Sequence, residues 1–263
     1  MAEKIRLLVT VKTYPLLSIS YMETVCTAGV REDGSFIRLY PIEYRYRASS
    51  ERYKKYQWIE VEVVRPRGDP RPESYSPAPG SKIRALGGPL PTKDGWAERK
   101  RYVLAKGTQT MCALEKLSGQ ECSLGIIRPK EVEDFIAEPA DRDWKPVLMS
   151  DLYQLKLFDV ERKPLEKIPY KFSYVFKCED PSCKGHKKMI EDWEVGQLYR
   201  RMRDEFRSEE RAIEKVKERF LGDVCASDRE THFFVGTTLA YGTWIILGAF
   251  WPPKRAEQFS FLE

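Results

Sequence analysis

The sequence predicts a mainly β chain with added helices, an α+β class. Three observations predict it. Short runs rich in Val, Ile and aromatic residues fill both ends of the chain and alternate with polar positions. Proline and glycine punctuate them closely, with 17 Pro and 16 Gly in 263 residues. One long stretch, 195–221, carries a helical stripe in which apolar positions recur every three or four residues.

Residues 4–11, Lys-Ile-Arg-Leu-Leu-Val-Thr-Val, read as a strand that Lys12-Thr13-Tyr14-Pro15 breaks. Residues 20–30 are apolar and open to either helix or strand. Asp33-Gly34 marks a tight hairpin, followed by an alternating strand, Ser35 to Tyr40, that stops at Pro41. Tyr56 to Val64 forms another, with Glu60 and Glu62 facing away from Ile59 and Val61. Residues 65–100 are too rich in proline for a helix or a central strand. They read as a connection between subdomains, or more sharply as a basic arm laid along a nucleic-acid backbone.

Residues 97–120 suit one or two helices, with Gly119 as a stop. Leu124 to Pro129 and Glu131 to Ile136 read as strands, and Tyr153 to Phe158 and Tyr170 to Lys177 alternate. In the stripe over 195–221, Val195, Leu198, Tyr199, Met202, Phe206, Ile213, Val216 and Phe220 share a face, and neither Ser208 nor Gly222 is expected to interrupt it. Its polar face is balanced in charge, which suits a helix packed on a sheet. His232 to Gly236 and Trp244 to Phe250 close the chain as apolar strands ending at Pro252-Pro253. The expected organisation is a basic β-rich unit over 1–95, a helical connection over 96–122 and a second β-rich unit over 123–263.

The composition is 42% apolar and 32% charged, which excludes a disordered chain, a collagen-like repeat and a coiled coil. No run reaches the roughly 18 apolar residues of a membrane helix. The N-terminus enters a strand at once without a signal peptide, so a cytoplasmic location is expected. Six Cys in a reducing compartment are thiols or metal ligands rather than disulfides. The chain contains no Asn, which together with its prolines suits a heat-adapted source. The net charge of +5 is uneven: residues 1–100 hold 18 Lys+Arg against 12 Asp+Glu, and the remainder 27 against 28. A basic N-terminal half points to a phosphate-bearing partner.

The segment Cys178-Glu179-Asp180-Pro181-Ser182-Cys183-Lys184-Gly185-His186 carries metal-ligand chemistry. Two thiols and an imidazole on a Pro/Gly turn can converge on one tetrahedral zinc, and the role expected of it is structural. The fourth ligand is open among Cys225, His232, Cys122, a carboxylate such as Asp192, or water, with Cys225 the first choice. Two free thiols and a surface histidine are the plainer alternative.

Two His in the whole chain leave little room for a nucleophile relay. No phosphate-binding GxxxxGK[ST] loop and no GxGxxG is present. The carboxylate pairs Glu60/Glu62 and Asp192/Glu194 remain as Mg²⁺ candidates for a nuclease. Acidic residues on a strand face or a helix start are far commoner than metal sites.

Cations and rings interleave densely between residues 12 and 58. Lys12, Arg38, Arg45, Arg47, Lys54 and Lys55 are the candidates for phosphate contact, and Tyr14, Tyr44 and Tyr56 for stacking on unpaired bases.

Several segments carry a resemblance to a known family. In the first half they are Val11-Lys12-Thr13-Tyr14-Pro15, Glu23 to Val30, Ile37-Arg38-Leu39-Tyr40-Pro41 and Asp69 to Tyr75. In the second half they are Cys178…Cys183-Lys184-Gly185-His186…Asp192-Trp193-Glu194 and Phe233-Phe234-Val235-Gly236…Pro252-Pro253. Together they resemble a prokaryotic family of uncharacterised proteins that carries a dual OB-fold domain and often lies near genome-defence genes. The resemblance implies two small OB-like β-barrels. The function expected is binding of single-stranded DNA or RNA, or of an altered duplex, as an accessory subunit of a DNA- or RNA-processing assembly. A Mg²⁺-dependent nuclease and an adaptor for an acidic protein are the alternatives.

Overall fold

The computed structural model describes residues 2–18, 22–146 and 165–254. The N-terminal strands are β1 (Glu3–Lys12), β2 (Leu16–Ser18), β3 (Met22–Val30), β4 (Phe36–Ile42), β5 (Trp58–Val64), β6 (Ser74–Pro77) and β7 (Arg84–Leu86). Five of them close a barrel in the order β1-β3-β4-β6-β5, with β5 pairing back onto β1. All of these pairs are antiparallel except β4 with β6. That cyclic order, with the third and fifth barrel strands parallel, is an OB-like Greek-key barrel.

The alternating residues that predicted the strands fill this barrel: Ile5, Leu7 and Val9 meet Ile37, Leu39, Ile59, Val61 and Val63. Within the stretch 20–30, open from sequence, the described residues Met22–Val30 are strand β3. The stretch 65–100, expected as a connection, supplies strands β6 and β7. Its prolines fall outside these short strands or at the end of β6, where no ladder donor is lost.

A helix α1 (Lys93–Val103) and a single turn α2 (Met111–Leu114) lead to the second half. Its strands are β8 (Leu124–Ile127), β9 (Pro129–Pro139), β10 (Tyr170–Cys178), β11 (His186–Met189), β12 (His232–Thr237) and β13 (Trp244–Phe250). They form sheets β9-β10-β11 and β8-β12-β13. The chain itself joins β8 to β9, and a parallel bridge from Ile190 to Ile246 joins the other edges. The two sheets share one apolar core, with Phe135, Phe172 and Tyr174 against Ile127, Phe233 and Ile246, and make a second, barrel-like unit with the additional strand β11 between β10 and β13. The alternating run Tyr153 to Phe158 lies outside the described residues.

The amphipathic stretch 195–221 is two helices rather than one, α3 (Trp193–Phe206) and α4 (Glu209–Lys217), followed by a π turn over Glu218–Asp223. Arg207 takes a left-handed φ of 54°, and the Ser208 hydroxyl accepts from the Arg211 N–H as a new N-cap. Periodicity could not show this break, because the stripe resumes in phase. Phe206, beside the break, is left 43% exposed.

The barrels pack against each other through a third apolar core. Val11, Ala28 and Tyr56 come from the first barrel, and Ile126, Phe234, Leu247 and Phe250 from the second. A register shift between Val9 and Val11 turns Val11 out of the barrel interior and into this contact. At Gly196, a Cβ would lie 2.1 Å from the Tyr14 ring, so the close approach of α3 needs glycine there.

Candidate metal centre and interbarrel cleft

The β10–β11 hairpin brings Cys178, Cys183 and His186 together, as their spacing predicts, and Cys112 in α2 completes the set. One ligand atom from each of the four lies within 4.8 Å of all the others. Cys112 Sγ is 3.6 Å from Cys178 Sγ and 3.4 Å from His186 Nε2. A tetrahedron with Zn–S near 2.3 Å and Zn–N near 2.0 Å has edges of about 3.8 and 3.5 Å. The donors therefore stand close to zinc spacing.

The surroundings fit an anionic ligand set. The backbone N–H groups of Cys178 and Gly185 both donate to Cys183 Sγ at 3.4 Å. Burial raises the Cys178 thiol, but hydrogen bonds from the backbones of Cys112 and Asp180 and from His186 outweigh it and bring it down to about 6. Cys112 is pushed up to about 12 by burial and by the neighbouring thiols. Glu115 Oε2 lies 3.3 Å from His186 Nδ1, and its other oxygen is held by Lys188 at 2.5 Å. A carboxylate on Nδ1 orients the ring and leaves Nε2 for a metal.

Cys225 is not part of this cluster. Its thiol donates to the Phe220 carbonyl at 3.4 Å, and burial pushes it up to about 12. Cys122 donates to the Leu124 carbonyl, and His232 Nδ1 sits 2.9 Å from the Glu230 carbonyl. Cys112 lay hidden in sequence because it stands alone, 66 positions before Cys178.

The nine residues expected at a nucleic-acid surface separate into two groups. Four have been drawn into the barrel-to-barrel contact. Arg38 is 2% exposed, and its guanidinium donates to the Ser74 and Ser123 hydroxyls and to the carbonyls of Ser123 and Thr237. It joins the barrels and has nothing left for phosphate. Tyr14 is buried and donates to the Glu166 carbonyl. Lys55 Nζ spans the interface to Asp192 Oδ2 at 2.9 Å and Glu194 Oε2 at 3.2 Å. Tyr56 is buried at the base of the cleft described below.

Lys12 sits 4.0 Å above the Tyr44 ring and 4.7 Å from that of Trp193, and burial with Lys55 nearby lowers its ammonium to about 8. Tyr44 is half-buried and donates to the Tyr53 carbonyl. Arg45 pairs with Glu23, Arg47 pairs with Glu51, and Lys54 is exposed. Arg38, Tyr14, Lys55 and Tyr56 looked available because burial by a second barrel leaves no mark in a local pattern.

Asp192 caps α3 by accepting from the Glu194 N–H at 2.8 Å. Burial raises its carboxyl to about 6 against the pull of Lys55. Glu60 is held by Lys4, Arg6 and Arg84. Both candidate Mg²⁺ pairs thus include carboxylates already bound by cationic side chains.

A cleft of about 870 Å³ opens between the barrels above Lys55 and Asp192. Lys54 and Tyr56 line it from the first barrel, and Trp96 and Arg99 from α1. The second barrel adds Arg201, Lys215, Arg219 and Trp251. Trp96 stands 5.5 Å from Trp251 and 6.2 Å from Tyr56, centroid to centroid. Arg99 lies 4.2 Å over Tyr56, and Arg219 lies 4.7 Å over Trp251. Asp94, Gly95 and Trp96 are successive left-handed residues, with φ of 50°, 65° and 63°. For the two that are not glycine this costs on the order of 1–2 kcal/mol each. The turn places Trp96 at the junction of the barrels.

A wider cleft of about 1230 Å³ follows β4, lined by Tyr40, Tyr46, Arg47, Arg65 and Arg67. Its cations are matched by Glu43, Glu51 and Asp69, and Arg65 donates to the Ser74 carbonyl. The interbarrel cleft has six cations against four carboxylates, and both barrels contribute to it.

Among the described residues, no helix is long and apolar enough to cross a membrane. Residues 107–263 match the family described as Domain of unknown function (DUF8757), and residues 3–105 match Domain of unknown function (DUF8758). No curated protein matches the chain.

Proposed function

The chain belongs to the family described as Domain of unknown function (DUF8757), and from that premise we propose that it binds single-stranded nucleic acid across the interbarrel cleft, with a structural zinc in the Cys112/Cys178/Cys183/His186 site. The observation that carries the reading is the convergence in one cleft of Trp96 and Trp251 with Lys54, Arg99, Arg201, Lys215 and Arg219. Cations neutralise phosphates, and flat rings receive unpaired bases. A duplex backbone offers charge but hides its base faces, so rings beside cations favour a single strand.

Four protein ligands make the zinc site closed, as in structural rather than catalytic centres. Cys112 lies in the connection between the barrels, so zinc there fixes that connection to the second barrel. The role is binding rather than cleavage, because the candidate acids already carry ammonium or guanidinium partners.

Fluorescence anisotropy with single- and double-stranded oligonucleotides across a salt series tests the reading. Single strands should bind more tightly than duplex, with log K falling linearly in log salt. Arg219→Ala together with Trp251→Ala should weaken binding by at least tenfold. No binding at low salt refutes the reading and turns the basic cleft over to an acidic protein partner.

A further inference from the structure

Four carboxylates line the interbarrel cleft, and they are not equivalent. Asp192 is buried, with one oxygen on Lys55 and the other on the Glu194 N–H. Glu218 pairs with Lys215 and Asp223 with Arg219 along the exposed helical surface. Glu194 differs from all three. Its side chain is 57% exposed, and Oε2 is anchored by the half-buried Lys55 at 3.2 Å. Its Oε1 has no partner among the described residues. Lys55, then Lys12 and Arg219, hold it below the usual carboxylate range, so it is an ionised acceptor at neutral pH. It shares the cleft with the rings of Tyr56, Trp96 and Trp251.

A carboxylate in a cleft built for phosphate is unfavourable unless it meets a donor. A base resting on the rings presents its Watson–Crick edge sideways. The edge of cytosine carries an amino donor at C4, where uracil and thymine carry a carbonyl oxygen. An ionised carboxylate accepts from the first and repels the second.

We infer that Glu194 is a base-reading residue, and that the cleft prefers strands whose bases carry an amino group, cytosine above all, over uracil or thymine. The inference rests on the proposed single-strand binding and adds a specificity to it. It also gives Glu194, one of the acidic members of a basic cleft, a function.

Labelled 12-mers of oligo-dC and oligo-dU separate the two claims, because cytosine and uracil stack alike and differ mainly at C4. At pH 7.5 and fixed salt, oligo-dC should bind about tenfold more tightly than oligo-dU. In Glu194→Gln the amide both accepts and donates, so the ratio should fall towards one, chiefly through tighter binding of oligo-dU. An unchanged melting temperature should accompany this, since Lys55 keeps Asp192. Equal binding of both strands by the unmodified chain, or an undiminished ratio in Glu194→Gln, overturns the inference and leaves single-strand binding standing. Failure of both strands to bind at low salt overturns the two together.

Discussion

Replacing Cys112 by serine removes one ligand of the proposed zinc site and leaves the hairpin that carries the other three. Cys112 and Cys178 are 66 positions apart, so the metal closes a long loop. A crosslink over that length removes about 4 kcal/mol of conformational freedom from the unfolded chain. Ligand arithmetic gives a similar figure: a four-ligand zinc site worth about 12 kcal/mol loses about 3 kcal/mol with one ligand, more than a hundredfold in affinity. The two routes describe the same loss and agree. At about 2–4 °C per kcal/mol, the zinc-loaded chain should melt about 10 °C lower. Calorimetry with metal analysis of the purified protein checks this. Cys225→Ser is the control, since its thiol donates to a carbonyl away from the cluster and its loss should leave the metal content unchanged. Full zinc in Cys112→Ser with an unmoved melting temperature, or loss of zinc in Cys225→Ser, would refute the assignment of ligands.

Three further outcomes follow from the barrel-to-barrel contact. Arg38→Met should cost about 1–3 kcal/mol in urea unfolding, because it removes a donor from the buried Ser74 and Ser123 hydroxyls and from the carbonyls of Ser123 and Thr237, which keep only the Thr237 N–H and Arg71 as donors; undiminished stability with weaker oligonucleotide binding would return Arg38 to the phosphate-contact role. Gly196→Ala should cost about 1–3 kcal/mol, since its Cβ would meet the Tyr14 ring, and Tyr14→Ala in the same chain should make the two losses less than additive. Lys12 binds its proton less tightly folded, near 8, than unfolded, near 10.5, so its share of stability is lowest below pH 8 and rises between those values. Any stability gained in Lys12→Met over the unmodified chain should therefore shrink as the pH goes from 7.5 to 10, and a gap that stays constant would show that the ammonium is not strained by burial.

Much of the fold was legible because its signals are local. Alternation over 4–11 and 56–64 became β1 and β5, with Ile59, Val61 and Val63 in the barrel and Glu62 outside. The nonapeptide from Cys178 to His186 announced three members of the Cys/His cluster able to hold a metal, since a turn alone brings them together. The helix break at Arg207 and the strand β6 left weaker marks. A cap that resumes the same stripe preserves periodicity, and a four-residue strand among prolines resembles a loop.

The sequence by itself determined the class of fold, the hairpin half of the metal site and the basic, aromatic character of the first half. Tertiary structure alone decided which of those cations and rings face solvent. Arg38, Tyr14 and Lys55 read as contacts for a partner outside the chain, and their partner proved to be the second barrel. Cys112 could be paired with the hairpin only in three dimensions, and Trp96, Arg99, Arg219 and Trp251 could be gathered into one cleft only there. The reason is physical. Periodicity reports the face a residue shows to its own element, whereas burial between two barrels and convergence on a metal depend on distances between segments far apart in the chain.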